Sequence, residues 1–139
     1  MTYWIFQSDP KIYDIHGALE EYDSISWVTL QHADEIHVGD AVLVWCAGDK
    51  AGIYAIGQVI SEPEVRPSPD DPHWLNPEDR KTPELRVTLA ITKRFHPVLR
   101  KDLKDHPAMR DSQIIKARVG TNFRVTPEQW SAIIDLLRE

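Results

Sequence analysis

The residue type that stands out is tryptophan, with five in a chain of 139 residues. Trp130 lies on the apolar face of a C-terminal helical pattern and reads as core. Trp4 and Trp45 fall in apolar runs that read as strands, so each turns a face to a core or a pocket. Trp27 follows Ser24-Ile25-Ser26, and Trp74 sits in a proline-rich stretch. Taken together, tryptophans near strand ends and in a loop could wall one pocket.

The motifs of catalysis are missing by comparison. There is no phosphate-cradling glycine loop, no dinucleotide fingerprint and no HExxH. The six histidines, His16, His32, His37, His73, His96 and His106, are scattered. Cys46 is the only cysteine, which excludes an intramolecular disulfide and a multi-cysteine zinc site within one chain. It follows an apolar strand and reads as a small hydrophobe. Asp70 and Asp71 beside His73 read as solvated charges. The expectation is a non-enzyme with no catalytic residue, metal or cofactor. Two alternatives stay open: an RNA- or nucleotide-modifying enzyme drawing on Asp9, Asp40 or a histidine, and an interaction domain whose tryptophans are all core.

Charge narrows the partners. The net charge of −6 disfavours holding nucleic acid by bulk electrostatics. Yet residues 81–120 carry ten basic and four acidic residues. Within that segment Lys93, Arg94, Lys116 and Arg118 are candidates for phosphate contacts, which position a strand without reading it. No apolar run approaches the roughly 20 residues of a membrane helix. Residues 1–10 lack the pattern of a secretory signal. No membrane partner and a cytoplasmic location are expected.

The elements that must position these residues form an α+β pattern in one domain over 1–139. Tyr3–Phe6 reads as a buried strand closed by Gln7-Ser8-Asp9-Pro10. A helix follows over Tyr13–Tyr22 with Asp14 as N-cap. Residues 24–30 read as a strand or an irregular segment. Ala41–Cys46 and Gly52–Ile60 form a hairpin, with Gly57 marking a bulge or a close backbone approach. Residues 62–83 hold six of the ten prolines and read as a long surface loop. Leu85–Ile91 alternates as a strand. Short helical pieces are expected over 100–105 and 107–110. Thr126-Pro127-Glu128-Gln129 opens a final helix over 127–138.

Tyr3-Trp4-Ile5-Phe6-Gln7-Ser8-Asp9-Pro10 resembles the YWLFKSEP-type opening of EVE domains, with Gln7 for Lys and Asp9 for Glu. The resemblance continues in order through Trp27, Val38–Trp45, Gly52–Val59 and Gly120–Thr126. It implies the PUA-like fold, a small curved β-barrel with flanking helices. It also implies a modified-base reader related to the YTH domains, which hold N6-methyladenine in an aromatic cage. By position Trp27 resembles the first cage tryptophan, and Gln7-Ser8-Asp9 the polar turn bordering the pocket. In such a pocket an indole face would stack on the base, worth about 1–3 kcal/mol, without selectivity of its own. The resemblance then implies base-edge contacts from Gln7 and Asn122, which each donate and accept, from Asp9, which accepts from an exocyclic amine, and from Ser8. The second wall is Trp45 or Trp74. The implied partner is DNA or RNA carrying a modified base, or a free modified nucleoside, with a partner nuclease as a further expectation.

Overall fold

The computed structural model describes residues 1–69, 71–76, 83–117 and 119–137. Strand β1 runs over Tyr3–Ser8, helix α1 over Ile15–Glu21, and β2 over Ser24–Val28. The hairpin strands are β3, Ala41–Cys46, and β4, Gly52–Val59. After them come β5, Glu64–Arg66, and the long β6, Glu84–Leu99. Two short helices, α2 at Arg100–Leu103 and α3 at Gln113–Lys116, lead to β7, Asn122–Val125, and α4, Pro127–Leu137.

The strands form one mixed sheet in the order β2-β6-β4-β3-β1-β7, with β5 on β6. The β1–β3 pair is parallel and the rest are antiparallel. The sheet curls as a half-barrel with four helices around it, the PUA-like α+β architecture. Its two end strands, β2 and β7, do not pair. Side chains tie their flanks instead. Asn122 Oδ1 accepts from the backbone N–H groups of Leu30 and Gln31, and Gln31 Oε1 accepts from those of Thr121 and Asn122.

Side-chain parity along the strands builds two cores. Trp4, Phe6, Val42, Val44 and Cys46 join Trp27 and the apolar face of α1 in one. Ile5, Leu43 and Trp45 join Ile53, Phe123 and Ile133 in the other. This is the period-two alternation of a sheet with both faces covered.

Several expected elements form as read. Asp14 caps α1 by accepting from Gly17 N–H, and Thr126 and Gln129 exchange the reciprocal bonds of a capping box at α4. The β4–β6 register shifts at Ile56/Gly57. A Cβ on Gly57 would lie 2.8 Å from the Ala90 carbonyl oxygen, so the strands approach too closely there for a side chain. Three elements differ from expectation. β6 continues eight residues beyond Ile91, to Leu99, because it stays paired with β4 from Leu89 to Leu99 across two register shifts. The proline-rich segment contributes the edge strand β5, where missing N–H donors are tolerated. Helix α3 replaces the helical piece expected over 107–110, which is turn.

Candidate functional site

A cavity of about 400 Å³ opens in the gap between β2 and the strands β1 and β7. Gln7, Ser8 and Asp9 line it from the end of β1, and Gly120 and Thr121 from the approach to β7. Ser26 and Trp27 line it from β2, Arg86 from β6, and Tyr13 and Trp74 from the segments beyond. The volume and the mixed apolar and polar lining fit a small-ligand site.

Trp27 is 5% exposed. Its ring packs on Phe6, centroids 6.0 Å apart, and it also lines the cavity. The indole therefore belongs to both the core and the site. Trp74 is half-buried. Its Nε1 donates to the Pro69 carbonyl over 3.2 Å, and its ring meets Tyr13 edge-on at 4.9 Å. Trp45 does not join them. It points to the opposite face of β3, 1% exposed in the second core, one residue out of phase with Val44 and Cys46.

The polar turn sits at the cavity rim with part of its capacity committed. Gln7 Nε2 donates to the Gly120 carbonyl over 2.7 Å. Asp9 is exposed, and its Oδ1 accepts from Lys11 N–H over 2.9 Å. Asn122 is 2% exposed and does not line the cavity. Its amide is spent on Leu30, Gln31 and Val28, holding the two ends of the sheet together. Asp40, weighed above as an acid or base, is likewise structural: it accepts from Trp4 Nε1, Thr2 N–H and His37 N–H.

Sequence reasoning missed Arg86. It is 5% exposed, and its Nε donates to Ser26 Oγ over 2.7 Å. Nη2 donates to the Ser26 carbonyl and Nη1 to Ser68 Oγ, at 3.3 and 3.5 Å. None of these partners is a carboxylate. Burial lowers its pKa, with the charge of Glu84 opposing and that of Arg66 adding. A guanidinium stays protonated regardless, so a buried positive charge borders the cavity. The available signal was the alternation of Leu85–Ile91, which sets Arg86 opposite the core face; the rest depended on Ser26 and Ser68 covering that face.

The proline-rich segment is fastened to α1. Tyr13 and Asp71 share a hydrogen bond of 2.5 Å; Tyr22 Oη and His73 N–H also donate to Asp71, at 3.1 and 2.9 Å. The His73 ring lies between Glu21, at 2.7 Å, and Asp14, at 3.6 Å. Asp14 N–H donates to the His73 carbonyl, and Leu75 N–H to that of Ile12. A Cβ on Gly17 would clash with the Asp14 carboxylate that caps α1 and crowd the His73 ring at 3.0 Å, so a side chain there would disturb both. Asp71 is thus a structural acceptor rather than a solvated charge. Asp70 lies outside the described residues.

The phosphate candidates are dispersed. Lys93 is exposed on β6. The Arg94 guanidinium binds the carbonyls of Leu19 and Tyr22 at the end of α1. Lys116 pairs with Asp111 at 3.6 Å. None of the three lines the cavity. Arg118 lies outside the described residues. Among the described residues no group of three or more His, Cys, Asp or Glu is arranged to hold a metal ion, and no helix is long and apolar enough to cross a membrane.

The EVE domain family model matches residues 2–136. This chain belongs to the EVE family. Its fold recurs in human THYN1 in complex with 5-methylcytosine-containing DNA, at a TM-score of 0.75 and 12% identity, covering 100% of this chain and 99% of that one. A protein from Pseudomonas syringae is similar at a TM-score of 0.74 and 20% identity, covering 96% and 98%. The YTH domain of Zygosaccharomyces rouxii MRB1, in complex with N6-methyladenosine RNA, is similar at a TM-score of 0.61 and 8% identity, covering 99% and 85%. No curated protein matches the sequence.

Proposed function

We propose that this EVE domain is a non-catalytic reader that takes one modified nucleobase of DNA or RNA into the cavity beside Trp27. The observation that carries the reading is the cavity itself, where the Trp27 indole, a second tryptophan and a buried guanidinium border one space of about 400 Å³. Similar folds in the human and yeast proteins accompany methylated DNA and methylated RNA.

In this reading Trp27 and Trp74 are the apolar walls, and extracting a base from its stack costs a few kcal/mol that the walls offset. Gln7, Ser8 and Asp9 meet the base at the rim. Arg86, itself buried, supplies donors to an acceptor on the base edge, where low dielectric makes a charge-assisted bond stronger than in water. Selectivity for a methylated base comes from apolar contact, and selectivity among bases from the donors and acceptors. The test is a binding panel of short strands carrying 5-methylcytosine, N6-methyladenine or no modification, with turnover followed on the same samples. Preference for one modified strand without product supports the reading. Equal binding across the panel, or formation of product, contradicts it.

A further inference from the structure

A second depression of about 710 Å³ adjoins the cavity, and the two share Gln7 and Ala47. One bank is the turn between β3 and β4, residues 47–51. The other is the corner where β6 passes into α2, residues 96–104. Backbone contacts fix the banks together. Arg100 N–H donates to the Ala51 carbonyl over 2.7 Å. A Cβ on Gly52 would clash with the Val98 carbonyl and the Leu99 backbone, so the turn is seated directly on the corner.

The lining is cationic. Lys50, Arg100, Lys101 and Lys104 stand there with His96, and Asp49 is the only acidic residue among them. Lys50, Lys101 and Lys104 are exposed. Among the described residues none of the three has a carboxylate within 4.0 Å, whereas Lys116 is paired with Asp111. Arg100 donates from Nη2 to the Ile115 carbonyl, which holds the side chain in place, and its buried Nε has no hydrogen-bond partner among the described residues. In a protein with a net charge of −6, unpaired cations gathered along one depression mark the place where an anion is welcome.

Resting on the base-reading function above, we propose that this groove carries the phosphate backbone flanking the base in the cavity. The chain would then recognise a single strand, or a strand opened at one nucleotide, rather than a free nucleoside. Gln7 and Ala47 mark the junction where the backbone leaves the base and enters the groove. The phosphates meet Lys50, Lys101 and Lys104 as solvated point charges, so these contacts position the strand and read no sequence.

The test is the Lys101→Gln/Lys104→Gln double variant, whose melting curve checks that it folds. Two probe pairs are used: a short single strand with one central 5-methylcytosine against free 5-methyldeoxycytidine, and a short RNA with one N6-methyladenosine against the free nucleoside. The wild type should bind one strand more tightly than its nucleoside. The double variant should lose about tenfold in strand affinity at low salt, its salt slope should fall by about 1.4, and its nucleoside affinity should stay unchanged. Unchanged strand affinity and slope in the variant, with nucleoside binding intact, would overturn the groove alone. A wild type that binds strand and nucleoside equally would do the same. Failure of every probe to bind would remove the base-reading function and the groove with it.

Discussion

The Tyr13 hydroxyl and the Asp71 carboxylate share a 2.5 Å hydrogen bond, and this bond draws the proline-rich segment onto the helix beside the cavity. Trp74 lies three residues beyond Asp71, in a β-bridge with Tyr13. The position of the Trp74 wall is thereby set by a tyrosine that precedes α1. Burial, together with the Asp71 hydrogen bond and charge, holds the Tyr13 hydroxyl far above its ordinary pKa, so it remains a donor at any physiological pH.

Replacing Tyr13 by Phe tests that link. Asp71 keeps its bonds from Tyr22 and His73, so the fold should lose no more than the one charge-assisted bond, about 1.5–3 kcal/mol. Hydrogen exchange of residues 71–76 should accelerate, and affinity for the modified strand should fall. Exchange indistinguishable from wild type would show that the hydroxyl does not hold the segment.

The fastening has a pH window. Burial disfavours the charged His73 ring, but the bond to Glu21 and the carboxylates of Asp71, Glu21 and Asp14 outweigh it and raise its pKa. The unfolded reference is about 6.5. Stability from this group is therefore complete below that pH and is lost as pH rises through the raised folded value. Asp71 behaves oppositely. Burial raises its pKa, but its hydrogen bonds from Tyr13, His73 and Tyr22 prevail and lower it, so its contribution is lost as pH falls through the lowered value. Exchange protection of residues 71–76 should fall on both sides of this window; His73→Gln should flatten the alkaline limb and, by removing the charge beside Asp71, move the acid limb to higher pH.

Trp27 and Trp74 should separate by variant. Trp27 is core as well as wall, so Trp27→Ala should cost about 3–5 kcal/mol of stability and confuse binding with folding. Trp27→Phe keeps an apolar ring against Phe6 and should retain a cooperative melt while weakening binding. Trp74 is half-buried, so Trp74→Ala should cost less stability and a larger share of affinity. Parallel melting and titration curves on the two variants decide this.

Arg86→Lys keeps the charge and removes the planar fork that grips Ser26. Affinity for the preferred base should drop on the order of tenfold, the worth of one charge-assisted bond. A variant that binds as the wild type does would make Arg86 a tie between strands and nothing more.

Much of the fold was legible because it rests on local patterns. The β3–β4 hairpin, the Asp14 cap and the Thr126 capping box each follow from a few adjacent residues. The site was legible only in part. Trp27 and the Gln7-Ser8-Asp9 turn lie on the cavity, but choosing between Trp45 and Trp74 required knowing which parity of β3 faces the gap. Asn122 lies next to cavity-lining Thr121, yet its amide is consumed in closing the half-barrel. Arg86 was missed and Asp71 misread for one reason. Each looks solvent-facing in its own segment, and each is covered by a segment distant in sequence.

The central claim is that the cavity distinguishes a modified base from its unmodified parent through contact with Trp74. Calorimetric titration of matched strands, with and without one methyl group on the base, tests it most directly in the wild type and in Trp74→Ala. The account expects a preference of roughly fourfold or more for one methylated strand, the worth of one buried methyl, and its loss in the variant. Equal affinity for methylated and unmethylated strands in the wild type, or a preference that survives in Trp74→Ala, would contradict it.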